Sequence, residues 1–499
     1  MAHRVTRRWL AALALTAAAV ALGSCGEGGT PKGGTLARIR ARGVIVWGAD
    51  KQGGEPYVFE DPADPTRLTG FEVDVMDALA RRLGVKPRFV QFNWSNLVPS
   101  LERGDFDVAI NGLEATTERQ ERILLSHPYF IYAETLAVRT GSPVRSLADL
   151  RGKRVAVLNQ TYAYDLVRSM PVEPVLYEGV EEPYIDLSHG RVDAVLLDNI
   201  IADRYGCNQK GITCLPDDMA RGVYVIGVRK QDPELLAAID QAIDAMRADG
   251  ELRRILEKWH LWDARQTEPV PPLQSAPPSA PRSFDLAQAR LFLSAAMVTL
   301  GLSVAAFLLA VPIGLLLAIG RIYGSTPVRV LVRAYIEIFR GTPVLLQLYL
   351  LYYGLAPYVA LGPFQAAVLG LGLNYAAYEA EVYRGALLAL PRGQTEAAQS
   401  LGMGPWQTLR HVLLPQALRL ALPAMTNDFV ALLKDSSLVS VITVIELTKR
   451  MTIAAVDLRG WLMPGLACAA LYFALSYPLS ELSRRLERRL ARDQHPRAL

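Results

Sequence analysis

The sequence predicts a multidomain chain: a two-lobed α/β domain followed by an all-α transmembrane domain with five helices. Three observations predict it. Hydrophobic residues make up 51% of the 499 and charged residues 20%, too apolar for an average soluble protein and too charged for one wholly inside a membrane. Between residues 42 and 265 short β-like runs alternate with amphipathic helical stretches, which is the pattern of α/β layers. Beyond residue 284 come uncharged runs long enough to cross hydrocarbon. The net charge of +4 gives no reason to expect a nucleic-acid partner.

Residues 1–25 start with Arg4, Arg7 and Arg8, continue through the apolar run Trp9 to Leu22 and end in Leu22-Gly23-Ser24-Cys25. The run is short for a membrane helix and has the plan of an export signal. Its end resembles a lipobox, in which Cys25 is lipidated and becomes the mature N-terminus; an uncleaved anchor is the other reading. Residues 26–41, glycine-rich at their start, read as a flexible tether. Cys207 and Cys214 could close a small disulfide loop, which an exported compartment permits. Neither the four cysteines nor the histidines have metal-ligand spacing, and no GxxxxGK[ST] loop occurs, so no metal and no bound nucleotide are expected.

From Arg42 to Trp262 the runs GVIVWGAD, PRFVQF, DFDVAI, KRVAVLN and VDAVLLD read as strands separated by helices, in two sets. Two such lobes form a cleft, with ligand groups at the strand ends. GFEVDVMDALARRLG, LERGDFDVAINGLEATTERQERILLSHPYF and HGRVDAVLLDN resemble the polar amino-acid binding proteins of ABC importers, a periplasmic-binding-protein fold. The resemblance implies that Arg119 clamps the ligand carboxylate, Asp198 binds its amino group and Trp94 stacks on it. It also implies backbone donors from Asn111 and Gly112 and further carboxylate donors from the loop at Thr161. A guanidinium suits a carboxylate because its fork makes two parallel hydrogen bonds. The sequence departs from the family at Glu114, where serine or threonine is usual. A carboxylate there, with Asp50 or Glu55 nearby, points to a cationic or amide-bearing ligand, because like charges repel.

Residues 266–283 hold TEPVPPLQSAPPSAP, a stiff linker with no apolar period. The membrane domain, 284–490, is read as five spans: 291–320, 340–356, 364–389, 416–447 and 460–480. Arginines at 321, 329 and 333, at 384, 392 and 410, and throughout the tail fall on one side of these crossings, as the positive-inside rule requires for an exported N-terminal lobe. Residues 491–499 then form a cytoplasmic tail. Charges inside the spans, Glu381, Lys434 and Asp435 among them, read as translocation-path residues or as structural ion pairs.

Within 392–416 the stretch Glu396-Ala397-Ala398, followed by Gly402 and by Val412, Leu414 and Pro415, resembles the EAA–x3–G–x9–I–x–LP coupling loop of ABC importer permeases. The resemblance implies a docking site for a separate ATPase subunit that binds the ATP. The whole chain then reads as a fused binding-protein and permease subunit of a polar amino-acid ABC importer (histidine/glutamine/glutamate-type), not an enzyme. It would sit multi-pass in the bacterial inner membrane with its binding domain outside, as a homodimer in lipid. The rival readings are a ligand-gated channel or an amino-acid sensor on the same binding fold.

Overall fold

The computed structural model describes residues 34–216, 218–273, 284–359, 361–458 and 460–493. The expectations for residues 1–33, Cys25 included, for most of the proline-rich linker and for the tail after Asp493 lie outside the described residues.

Two β-sheets form the lobes. The first holds Lys86–Gln91, Val44–Ala49, Val108–Ala109, Gly227–Val228 and Leu124–Leu125 in that spatial order. Its first pairings are parallel, Val44 opposite Lys86 and Trp47 opposite Val108. VIVWGA is buried almost throughout, as a strand covered on both faces must be. The second sheet is built on Phe130–Arg139, which runs antiparallel to Ala194–Asp198, Ile212–Cys214 and Ala220–Tyr224. Arg154–Leu158 and Glu173–Tyr177 extend it in parallel. The chain crosses between the lobes at Leu125 to Phe130 and returns at Tyr224 to Gly227. Cys207 and Cys214 are disulfide-bonded.

Two boundaries differ from expectation. The tether does not reach residue 41: Thr35–Arg42 is a helix whose Ile39 is fully buried, and the Thr35 hydroxyl donates to Asp232 Oδ1 at 2.6 Å. TLARIRAR places Leu36 and Ile39 on one face, so it docks once the glycines end at Gly34. The linker likewise starts late, since Gln266 exchanges hydrogen bonds with the backbone of Ile131 at 3.0 and 2.8 Å.

In the second half, two helices among the described residues are long and apolar enough to cross a membrane, Leu286–Tyr323 and Leu462–Arg485. The helices Pro363–Ala389 and Leu414–Asp435 overlap two further predicted spans and carry buried or half-buried charges. The predicted span 340–356 is broken. An amphipathic helix, Thr326–Gly341, ends at extended Thr342 ahead of Pro343, and the apolar helix that follows covers only Val344–Gly354. The break leaves carbonyls unpaired, and Gln347 Nε2 answers them by donating to Phe339 O at 2.9 Å and Thr342 O at 3.2 Å. Asn374 Nδ2 adds a bond to Phe339 O at 3.0 Å. In hydrocarbon such groups must be satisfied internally, so the two amides make the break tolerable. Leu286–Tyr323 and Pro363–Ala389 approach closely over small residues: a Cβ at Gly314 would lie 2.6 Å from Glu379 Cβ, and one at Gly372 2.8 Å from Leu309.

Candidate functional site

The cleft lies between the two sheets, at strand ends. Asp50 follows the strand Val44–Ala49 and accepts from Gln52 N (2.9 Å), Gln91 Nε2 (2.8 Å) and Trp94 N (2.7 Å). Its carboxylate is therefore spent on holding the loop. Asn111 accepts from the Asp50 backbone N–H, which ties the ends of two neighbouring strands together. Gly112 has φ of 59°, and a Cβ there would meet the Tyr57 ring at 2.9 Å, so glycine is required on both counts. Its N–H donates to Glu72 Oε1 at 2.5 Å rather than into the cleft. Thr161 caps the helix Tyr162–Arg168, accepting from Tyr164 N at 3.2 Å. Asp198 caps Asn199–Tyr205 through Ile201 N (2.9 Å) and also accepts from the Tyr57 hydroxyl across the cleft (3.0 Å).

Arg119 is the main departure from expectation. Its Nη1 donates to Glu114 Oε2 at 2.7 Å and to Glu114 O at 2.8 Å, its Nη2 donates to Gln160 O at 2.8 Å, and its guanidinium lies 5.2 Å from the Trp94 ring centre. It thus sits beside the cavity rather than lining it. Glu114 is 4% exposed and takes a further bond from Tyr162 N at 3.0 Å. Glu55 lies away from the cavity, paired with Arg204. The lobes are held shut by Trp94 Nε1 donating to Asn159 O (2.9 Å) and Gln160 Nε2 donating to Ser95 O (3.0 Å).

Glu134 is a site residue that the sequence reading missed. It lines the cavity with Glu114 and Asp198, is 1% exposed, and neither carboxylate oxygen has a hydrogen-bond partner. Its place follows from register, because Glu134 pairs directly with Asp198 and so shares its face. The signal available was a lone charge in the apolar strand FIYAETLAVR. Burial, with Glu114 and Asp198 beside it, pushes its proton affinity well up. Burial likewise raises Glu114, though Arg119 pulls it back down.

Glu72 stands behind the cleft, fully buried, accepting from Gly112 N and the Tyr129 hydroxyl, with one oxygen unpartnered. Burial raises its pKa from 4.5 to about 7 against those two bonds. A carboxyl raised by folding favours the fold below its unfolded pKa, and that contribution is lost as pH rises through the folded value. At about 1.4 kcal/mol per pH unit the loss between pH 4.5 and 7 is on the order of 3 kcal/mol. Glu72→Gln is therefore expected to raise the thermal midpoint at pH 8 by several degrees and to change it little near pH 5. Equal shifts at both pH values would refute this.

A second cluster joins the lobe to the membrane domain. Asp186 Oδ2 accepts from Tyr177 (2.6 Å) and from Tyr352 of the membrane domain (2.7 Å), while Arg191 Nη1 pairs with Asp186 Oδ1 at 2.9 Å. The Arg191 guanidinium rests 4.1 Å from the Tyr352 ring centre and donates to Tyr352 O at 3.2 Å. Nearby, Lys449 lies 3.7 Å from Glu178, a residue that also lines the cleft. Ile453 is buried in the core of the second lobe.

The three path candidates are not brought together. Glu381 bridges Arg321 and Arg384, the latter at 2.7 Å, which is a structural ion-pair cluster. Asp435 accepts from the Tyr375 hydroxyl at 2.8 Å, and Lys434 is exposed. Glu379, fully buried with no hydrogen-bond partner for either oxygen, is the more isolated charge. In the loop 392–416 a helix, Arg392–Ser400, ends before Gly402 at φ of 80°, and a second begins at Pro405. Glu396 and Ala397 are exposed and Ala398 is buried. Pro415 has no N–H for the carbonyl of His411, and the backbone widens to a π-helical turn over Leu409–Leu413 just before it. Leu401 and Trp406, on either side of the bend, are 83% and 63% exposed.

Comparison with known proteins divides the chain at the same place as its architecture. The family described as "Bacterial extracellular solute-binding proteins, family 3" matches residues 45–261, and "Binding-protein-dependent transport system inner membrane component" matches 310–492. The L-cystine transport system permease protein TcyB of Bacillus subtilis (strain 168) is 37% identical over 196 residues, covering 39% of this chain and 84% of its own length. The glutamine transport system permease protein GlnP of Escherichia coli (strain K12) is 38% identical over 204 residues, covering 40% and 93%. A solved ancestral arginine-binding protein bound to arginine is 32% identical, with a TM-score of 0.41, covering 44% of this chain and 98% of that one.

Proposed function

We propose that this chain, which belongs to the amino-acid ABC importers as a family 3 solute-binding domain fused to its permease domain, captures a polar solute of the amino-acid class outside the cell and passes it through its own membrane helices. The observation that carries the reading is the seat of the lobe on the membrane domain, Asp186 and Arg191 against Tyr352. It puts Glu178 of the cleft within 3.7 Å of Lys449, so that opening of the cleft is felt at the membrane side. The permease crosses the bilayer five times, with the short helix Val344–Gly354 and the amide-patched break before it making up one crossing. Two copies enclose one pathway, with Glu381, Lys434 and Asp435 as its candidate residues.

Coupling runs through residues 392–416. The helix pair bent at Gly402, with Leu401 and Trp406 uncovered, supports docking into a groove of a separate ATPase subunit, which binds and hydrolyses the ATP. Arg119, Asp198, Trp94, Asn111, Gly112, Glu114, Thr161 and Asp50 shape the solute site, and Cys25 anchors the N-terminus in lipid.

Reconstitution of the full chain with a candidate ATPase in liposomes tests the reading. Solute-stimulated ATP hydrolysis with accumulation of the solute is expected. Passive solute-gated ion flux without any ATPase would instead favour a channel.

A further inference from the structure

The solute cavity holds carboxylates and no cation. Asp50, Glu114, Glu134, Glu178 and Asp198 line it, and no lysine, arginine or histidine is among its described lining residues. The Arg119 guanidinium beside it already meets Glu114, the backbone of Gln160 and the face of Trp94. The backbone N–H groups that could serve an anion are also taken, Gly112 by Glu72 and Tyr162 by Glu114. Glu114 thus occupies, from within the protein, the donors that a ligand carboxylate would need. Glu134 stands at 1% exposure with neither oxygen partnered, which is costly unless a cation or a proton answers it.

We infer that this site binds a small organic cation carrying an ammonium or guanidinium group and no free carboxylate, with Glu134 and Asp198 receiving the charge and Glu114 filling the place of the ligand's carboxylate. The inference rests on the importer reading and moves its solute from the amino acid to the corresponding amine. A carboxylate brought into this cavity meets Asp50, Glu114, Glu134, Glu178 and Asp198 at low dielectric, against which the lining sets only the neutral amides of Gln52 and Asn111 and no cation. An amine of the same length meets carboxylates instead of competing with them. Tyr57, whose hydroxyl reaches Asp198 at 3.0 Å, closes the polar end, and Trp94 gives a face for the cation's stem.

The test uses two pairs of probes that differ only by the α-carboxylate: agmatine against arginine, and cadaverine against lysine. Binding to the full-length protein in lipid nanodiscs is followed by calorimetry and by thermal midpoint. At least one decarboxylated probe is expected to bind tenfold or more tightly than its amino-acid partner. Glu114→Thr, which frees Arg119 and Tyr162 N, is expected to reverse that preference, and Glu134→Gln to weaken the amine tenfold or more. The wild-type preference needs no variant and so stands even where a substitution fails to fold. Tighter binding of arginine or lysine by the wild-type protein would overturn the inference and leave the importer reading intact. Binding of neither class would overturn the inference, while the importer reading is decided separately by solute-stimulated ATP hydrolysis.

Discussion

Arg191→Ala is expected to cut uptake about a hundredfold or more while the isolated step of solute binding survives. The Arg191 and Asp186 side chains are 7% and 1% exposed where the lobe meets the membrane domain. Removing one partner of a buried pair costs roughly 3–5 kcal/mol, because the other charge stays buried, and 1.4 kcal/mol is a factor of ten. Part of that cost falls on the lobe itself, so a change on the membrane side separates the contributions. Tyr352→Phe keeps the ring under the guanidinium and deletes only the hydroxyl that donates to Asp186 at 2.7 Å. A bond to a charged acceptor is worth about 1.5–3 kcal/mol, so uptake should fall roughly ten- to hundredfold with solute affinity unchanged. Uptake by proteoliposomes, set beside calorimetric binding, reads both. Wild-type uptake in both variants would remove this seat from the transport route.

Gly402→Val should abolish solute-driven ATP hydrolysis. A Cβ at Gly402 would meet nothing within 4 Å, so the effect comes from the backbone alone. At φ of 80° a side chain costs roughly 1–2 kcal/mol, and a β-branched residue more, which shifts the bend between Arg392–Ser400 and the helix beginning at Pro405. Glu396→Lys reverses charge on the exposed face of the same loop without touching the fold. Both variants should keep full solute binding, and both should lose co-purification of the ATPase subunit. Retained co-purification with lost hydrolysis would shift the role of Gly402 from docking to transmission.

Much of this was legible in the residues. Short, β-branched apolar runs such as VIVWGA and AVLL fit covered strands, and the family resemblance picked out Asp198 and Gly112, which lie at or just beyond strand ends. The bend at Gly402 falls on the glycine of the stretch that resembles the coupling loop. What stayed hidden depends on pairing between distant segments. Glu134 matters because antiparallel register sets it opposite Asp198, and one sequence without its partner strand cannot reveal that. Arg119 matched its motif, but the motif does not say that Glu114, five residues earlier, would claim it. The break at Pro343 was masked for a related reason. Hydropathy counts Gln347 and Asn374 against a span, whereas here they serve it by satisfying carbonyls inside the membrane domain.

The seat formed by Asp186, Arg191 and Tyr352 belongs to one polypeptide. A receptor tied to its own gate works at an effective concentration fixed by the connecting chain and not by the abundance of free receptor. A contact of only modest intrinsic strength then suffices, and a stronger one would slow the release needed for the next cycle. Flux becomes independent of how much receptor the cell secretes. Other receptors sharing the compartment would have to exceed that local concentration to compete for the gate, so the fusion dedicates this permease to one cargo.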